Sequence, residues 1–375
     1  MRKIEMVDLR SQYQRLKPQI DASIQQVLES AAFINGPPVH EFARKLAEYL
    51  QAGYVIPCAN GTDALQIALM ALELKPGDEV ICPSFTYFAT VEVIALLGLT
   101  PVFVDVNPRT FNIEPDEVKK AISPRTKAII PVHLYGQSCD MEPLLDIARH
   151  HGLPIIEDNA QAIGAEYVFR DGTRKKTGTI ALIGCTSFFP SKNLGCYGDG
   201  GALITNDAAL AERLRMIANH GQSRRYYHDL IGVNSRLDSL QAAVLMAKLP
   251  HLDDFIRRRR AAADFYDAAF AGHPDITIPY RAPYSFHVFH QYTLIVHRER
   301  DALVQYLHQR NIPAMIYYPV LCHQQKAFVG KGRLCGTLHH SYWLSQRVVS
   351  LPMHTELDSD QLQYIANSVK EFFVT

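Results

Sequence analysis

Up to about residue 210, short apolar runs alternate with stretches of helical period. "GYVIPCA" (53–59) precedes "TDALQIALMALEL", "DEVICPS" (78–84) precedes "FATVEVIALLG", and "TPVFVDV" (100–106) precedes "EPDEVKKAI". "TKAIIPVHL" (126–134) precedes "MEPLLDIARHHG", and "LPIIEDN" (153–159), "IALIGCTSFF" (180–189) and "GGALITND" (200–207) complete the set. β-rich runs that alternate with helices predict βαβ units and a mostly parallel sheet covered by helices on both faces. Ligands of such sheets sit beyond the carboxyl ends of the strands. A long helical stretch over 239–270 follows, after which "HPDITIPYRAPYSFHVFHQYTLIV" reads as short strands and turns, and 301–310 as a helix. The shift in pattern predicts a large α/β domain over 1–248 and a smaller α+β domain over 249–375.

Composition narrows the classes. The 375 residues carry 38 basic and 38 acidic side chains, so there is no cationic excess of the kind that binds nucleic acid. The run Arg257–Arg260 reads as the solvated face of a helix. Seven cysteines without a CxxC pair form neither a disulfide framework nor a zinc site. The first residues lack the apolar core of a signal peptide and no apolar run reaches membrane-spanning length, so a soluble protein of a reducing cytoplasm is expected.

Four places along the chain bear on chemistry. Asn60-Gly61-Thr62-Asp63 joins a strand to an apolar helix; it reads as a helix cap or as a phosphate cradle. Asp158, in "IIEDNAQ", stands where an apolar strand emerges, with Gln161 just beyond; a carboxylate there needs a cation or hydrogen bonds, and a protonated ring nitrogen is one such cation. Lys192 follows the strand "ALIGCTSFF", where desolvation makes an amine a nucleophile. The glycines near it match neither GxxxxGK[ST] nor GxGxxG. Tyr87, in "PSFTYFAT", reads as a core or surface tyrosine or as a ring on which a planar cofactor stacks. A phosphate cradle, an anion for a ring nitrogen, an amine and a stacking ring together fit pyridoxal phosphate.

The motifs "INGPPV", "CANGTDALQIAL", "IIPVHLYGQSCDM", "IIEDNAQAIGA", "GVNSRLDSLQAA" and "SLPMHTEL", with the stretch around Lys192, occur in this order over nearly the whole chain. The sequence thereby resembles the DegT/StrS sugar aminotransferases, which have the aspartate aminotransferase-type fold. The resemblance implies that Lys192 carries pyridoxal phosphate (or its pyridoxamine form) covalently, that Asp158 pairs with the pyridine nitrogen, and that Gln161 meets the phenolic oxygen. It implies that Gly61, Thr62 and Ser187 hold the phosphate and that Tyr87 stacks on the ring. Asn234 would reach the phosphate of a neighbouring subunit, which makes a homodimer with shared sites. The likeness extends to aminotransferases of UDP-linked 3-keto-N-acetylglucosaminuronate, in which the counterpart of Arg236 binds the substrate carboxylate and those of Tyr317 and Tyr318 face the sugar. That group has Ala at the position of Asn159 and commonly His at that of Tyr317; the Tyr317 difference leaves open the sugar and amination at C3 or C4, and Tyr317 also reads as a packing residue. His133 reads as a structural histidine or a base, and Arg224 and Arg225 as a diphosphate contact or a solvated pair. The implied reaction moves the amino group of L-glutamate to a keto group of a nucleotide-linked hexose, for lipopolysaccharide, O-antigen or other unusual sugars. The alternatives are a sugar dehydratase using the same cofactor, in which histidine replaces the lysine, and a non-catalytic regulatory relative.

Overall fold

The computed structural model describes residues 2–374. Its centre is one mixed sheet, ordered Tyr54–Cys58, Gly201–Thr205, Ile183–Ser187, Ile156–Asp158, Thr126–Ile129, Glu79–Pro83 and Thr100–Val104. The two halves of the sheet meet through parallel bridges from Ile129 to Ile155 and from Val132 to Asp158. Arg333–Leu334 adds a short parallel strand at the far edge.

Gly201–Thr205 alone runs against its neighbours in this sheet. The reason lies in the connection. Parallel neighbours need a crossover, usually a helix, whereas residues 188–200 return from Ser187 to Gly201 without one. All the other strands of the sheet therefore end at the same edge. That edge gathers the segments after Cys58, Pro83, Asp158 and Ser187.

The strands have no polar alternation: Glu79–Pro83, Ile183–Ser187 and Gly201–Thr205 are buried at every position. Helices cover both faces. Gly61–Ala71 and Ala208–Ala218 pack in one core, Pro37–Leu50 and Ser239–Lys248 in another on the opposite side. Phe42 of Pro37–Leu50 is fully buried and meets Phe188 edge to face, with centroids 5.3 Å apart.

The helical stretch 239–270 is two helices, Ser239–Lys248 and Leu252–Phe270, separated by a single tight turn that contains Pro250. Proline removes the amide that a continuous helix needs. A separate core follows, in which the antiparallel strands Ile276–Thr277, Tyr292–Val296 and Val348–Leu351 pack under helices Leu252–Phe270, Arg300–Gln309 and Ser359–Val374. Ile4, from the start of the chain, also packs there. Among the described residues no helix is long and apolar enough to cross a membrane.

The expected solvated face at Arg257–Arg260 is corrected. Arg257 and Arg258 are exposed, but Arg259 is 2% exposed and donates to the carbonyls of Phe289, His290 and Met353. Arg260 donates to the carbonyl of His287 at 2.7 Å. Successive residues of a helix turn by about 100°, so a run of four cannot stay on one face.

Phe42→Ala is expected to destabilise the protein by about 3–5 kcal/mol, since it removes a buried ring and leaves a cavity. Urea unfolding measures this, and a loss under about 1 kcal/mol would contradict the packing described.

Candidate active site

The carboxyl edge of the sheet opens into a cavity of about 620 Å³. Gly61, Thr62, Tyr87, Asp158, Gln161, Ser187, Lys192, Tyr317 and Tyr318 all line it. Residues 61 to 192 of this set converge because the strands they follow end side by side, and Tyr317 and Tyr318 are brought to them by the loop after helix Arg300–Gln309.

At one end lies the start of helix Gly61–Ala71. Asn60 caps it, its Oδ1 accepting from the Asp63 amide at 2.8 Å. The remaining first-turn amides, with the helix dipole, make an anion site. Ser187 closes against it: a Cβ on residue 61 would lie 2.8 Å from the Ser187 Cβ, so glycine is what allows this approach.

Asp158 is 4% exposed, and no cation pairs with it among the described residues. Its Oδ2 accepts from Thr90 Oγ1 at 2.8 Å and its Oδ1 from the Ala160 amide at 3.1 Å. Burial nevertheless raises its pKa above the ordinary value, against those hydrogen bonds and the pull of Lys192 and His133. A buried carboxylate left in this condition is a receptor for a positive group, and a protonated pyridine nitrogen is one.

Gln161 is oriented by its neighbour. The Tyr135 amide donates to its Oε1 at 2.8 Å, so the donor nitrogen Nε2 faces the Tyr318 hydroxyl, 3.0 Å away. Tyr135 holds a left-handed backbone conformation, φ 58°, and its hydroxyl donates to the Tyr317 carbonyl. Tyr317 and Tyr318 are therefore anchored to the same loop that orients Gln161. Burial raises the pKa of both phenols.

Lys192 projects from the loop 188–200. Burial pulls its amine down to about 8, against the attraction of Asp158. Tyr87 is 59% exposed and its ring is 6.2 Å from that of Tyr318, so it stands free at the wall of the cavity. These residues fit pyridoxal phosphate: an anion site, an unpaired buried carboxylate, a fixed amide donor and a desolvated amine share one cavity of suitable size.

Residues 14–370 match the DegT/DnrJ/EryC1/StrS aminotransferase family. The protein belongs to that family. It is 45% identical to a pleiotropic regulatory protein of Geobacillus stearothermophilus, over 99% of this chain and 98% of that one. It is 46% identical to the UDP-2-acetamido-2-deoxy-3-oxo-D-glucuronate aminotransferase of Pseudomonas aeruginosa, over 96% and 98%. It is 45% identical to the UDP-N-acetyl-3-dehydro-α-D-glucosamine 3-aminotransferase of Acidithiobacillus ferrooxidans, over 98% and 97%. A solved structure of S. venezuelae DesV matches with a TM-score of 0.95 at 40% identity, over 99% of both chains.

Two expected site residues of this DegT/DnrJ/EryC1/StrS aminotransferase lie away from the cavity. Asn234 is exposed and bridges Asn219. Arg236 is 3.5 Å from Asn219 Oδ1 and lines a second cavity of about 680 Å³, with His40, Arg44 and Arg215. His133 is fully buried and outside the main cavity. Its Nδ1 accepts from the Cys139 amide, so its Nε2 donates to Glu157 at 2.9 Å. Glu157 also accepts from the amides of Gly178, Ile180 and Ala181, which explains how two adjacent acids can both be buried. Asn159 points away too, donating to the Thr177 carbonyl at 3.1 Å. Arg224 and Arg225 lie on an exposed hairpin, over the rings of Tyr227 and Tyr226.

Thr90, Tyr135, Asp199, His290 and Gln291 were not legible as site residues, although Thr90 and Tyr135 orient Asp158 and Gln161 and the other three line the cavity. Thr90 lies three residues beyond Tyr87, but nothing in a linear pattern joins it to residue 158.

The Lys192 value gives a signed pH dependence. Between about 8 and the unfolded value near 10.4, the unfolded chain keeps a proton that the folded one has lost, so this residue's contribution to stability grows as pH rises. Lys248, also pulled to about 8, acts alike in wild type and variant. Without cofactor, wild type should therefore gain stability relative to Lys192→Met from pH 8 to 10. Parallel urea titrations check this, and a constant difference would contradict it.

Proposed function

We propose that the protein moves the amino group of L-glutamate to C3 of a UDP-linked 2-acetamido-3-keto hexose. It is a pyridoxal-phosphate-dependent nucleotide-sugar aminotransferase. The observation that carries this is the unpaired, buried Asp158 facing a cavity shared with the Lys192 amine. The substrate reading is supported by the relatives from Pseudomonas aeruginosa and Acidithiobacillus ferrooxidans, both named for UDP-linked amino-sugar precursors with an oxo or dehydro group at position 3.

When bound, the cofactor supplies a conjugated ring that takes up the electron pair left at the amino acid's Cα. Asp158 holds a proton on the ring nitrogen, because burial makes two opposite charges there better than one. Gln161 Nε2 donates to the phenolic oxygen. The amides at Gly61 and Thr62, with the Ser187 hydroxyl, hold the phosphate. Lys192 Nζ, near neutrality in its basicity, takes the Cα proton of the amino donor and later delivers a proton to the sugar carbon that gains nitrogen. Tyr87 would offer its exposed ring for stacking and Tyr317 would line the place of the sugar.

Asn234 and Arg236 serve the site of a second copy in a homodimer, which accounts for their distance from this chain's own cavity. There Arg236 binds a C6 carboxylate if the sugar is a uronate. The product belongs to surface-polysaccharide building, such as O-antigen. A regulatory role is the second reading, favoured by the name of the Geobacillus stearothermophilus relative.

The test is to supply protein, pyridoxal phosphate and L-glutamate with UDP- and dTDP-linked 3- and 4-keto sugars, with and without a C6 carboxylate, and follow 2-oxoglutarate. Turnover is expected with UDP-linked 3-keto substrates, with Lys192→Ala slower by at least about 10²–10⁴-fold. Cofactor binding without 2-oxoglutarate from any sugar would favour the regulatory reading; preference for a 4-keto sugar would overturn the C3 assignment.

A further inference from the structure

Helix Ser239–Lys248 ends on a lysine that is 1% exposed. Its Nζ donates to the Gly195 carbonyl at 2.7 Å and lies 4.3 Å from the centroid of the Tyr197 ring. Among the described residues it has no carboxylate partner, and it is outside the main cavity. A buried cation without a counter-charge is costly, and methionine would fill a similar volume without that cost. The cation therefore needs an explanation other than packing.

What it holds is the loop that carries Lys192. The Lys192 amide donates to the Phe189 carbonyl at 2.8 Å, and the Cys196 amide closes the loop onto the Phe188 carbonyl at 2.8 Å. Gly195 sits inside this closure: a Cβ there would meet the Pro190 carbonyl oxygen at 2.4 Å. Gln241, two turns before Lys248 on the same helix face, accepts from the Tyr197 amide at 2.8 Å. Across the loop, Asn193 donates to the Val288 carbonyl at 3.1 Å. One helix face thus grips residues 195 and 197, while residue 193 is tied to the opposite side. Of these ties, only the one from Lys248 is made by a cation.

We propose that Lys248 is a positioning residue for Lys192, acting through the Gly195 carbonyl. By holding that carbonyl it fixes the backbone from which the reactive amine projects. The inference rests on the proposed role of Lys192, since an amine that moves protons between carbons loses rate when displaced by a fraction of its reach.

The test uses Lys248→Met and Lys248→Gln as full-length proteins loaded with pyridoxal phosphate. Two quantities are read per cofactor-loaded protein: the single-turnover rate with L-glutamate, and the pH midpoint of the bound-cofactor absorbance band. In Lys248→Met the rate should fall by about ten- to a hundredfold and the midpoint should move, while KM for the keto sugar stays near wild type. Lys248→Gln, which keeps an N–H donor, should recover part of both. Wild-type rate and midpoint in Lys248→Met, whatever its melting temperature, would overturn the proposal. If the methionine variant does not fold, wild-type values in Lys248→Gln at every pH, together with an unchanged rate in Gln241→Leu/Lys248→Gln, would overturn it. A wild-type protein inert toward L-glutamate would count against the proposed function; the absorbance midpoint needs no amino donor and still decides the role of Lys248.

Discussion

A carboxylate buried at the end of a central strand, with no ion-pair partner among the described residues, is the constraint on which the site depends. Asp158 reaches that position because strand Ile156–Asp158 lies in the middle of the sheet and ends at the edge where the cavity opens. Thr90 and the Ala160 amide hold its two oxygens without neutralising them. An apolar side chain there would spare the desolvation cost, so the carboxylate makes sense only with a positive partner brought from outside. In the proposed function a protonated ring nitrogen meets that need, and the ring would in turn draw on the groups around it: a phosphate site at helix Gly61–Ala71, a donor at Gln161 and an amine at Lys192.

The antiparallel strand Gly201–Thr205 has a part in this. Because the chain returns from Ser187 without a helix, the loop 188–200 stays over the carboxyl edge of the sheet and can carry Lys192 into the cavity. Helix Ser239–Lys248 supports the loop from the opposite side, and the crossing segment near Val288 ties it again. Burial lowers the basicity of Lys192, and the backbone hydrogen bonds of the loop fix where it projects.

Much of this was legible along the chain. The alternation of apolar runs with helical periods identifies the α/β sheet because buried strands and their covering helices each leave a distinct period. The stretch around Lys192, with Asp158 and Gln161, points to the cofactor because few other ligands need both an amine and an isolated acid. Contacts between distant segments were not legible. Thr90 meets Asp158 across 68 residues and Lys248 meets Gly195 across 53, and neither pair leaves a local pattern. The run Arg257–Arg260 shows the opposite failure: composition suggests a solvated face, but helical rotation sends Arg259 into the interior. Tyr135 fixes the Gln161 amide through its backbone amide alone, which no side-chain motif announces.

The proposed dependence of Cα-proton loss on Asp158, through a positive charge kept on the ring nitrogen, is the point on which the function turns. It is tested most directly by the single-turnover rate of Asp158→Asn with L-glutamate, measured on protein that retains bound pyridoxal phosphate. Removing one partner of a buried ion pair is worth about 3–5 kcal/mol, so the rate should fall by about 10²–10⁴-fold while the cofactor remains bound. A rate within a few-fold of wild type would contradict the account.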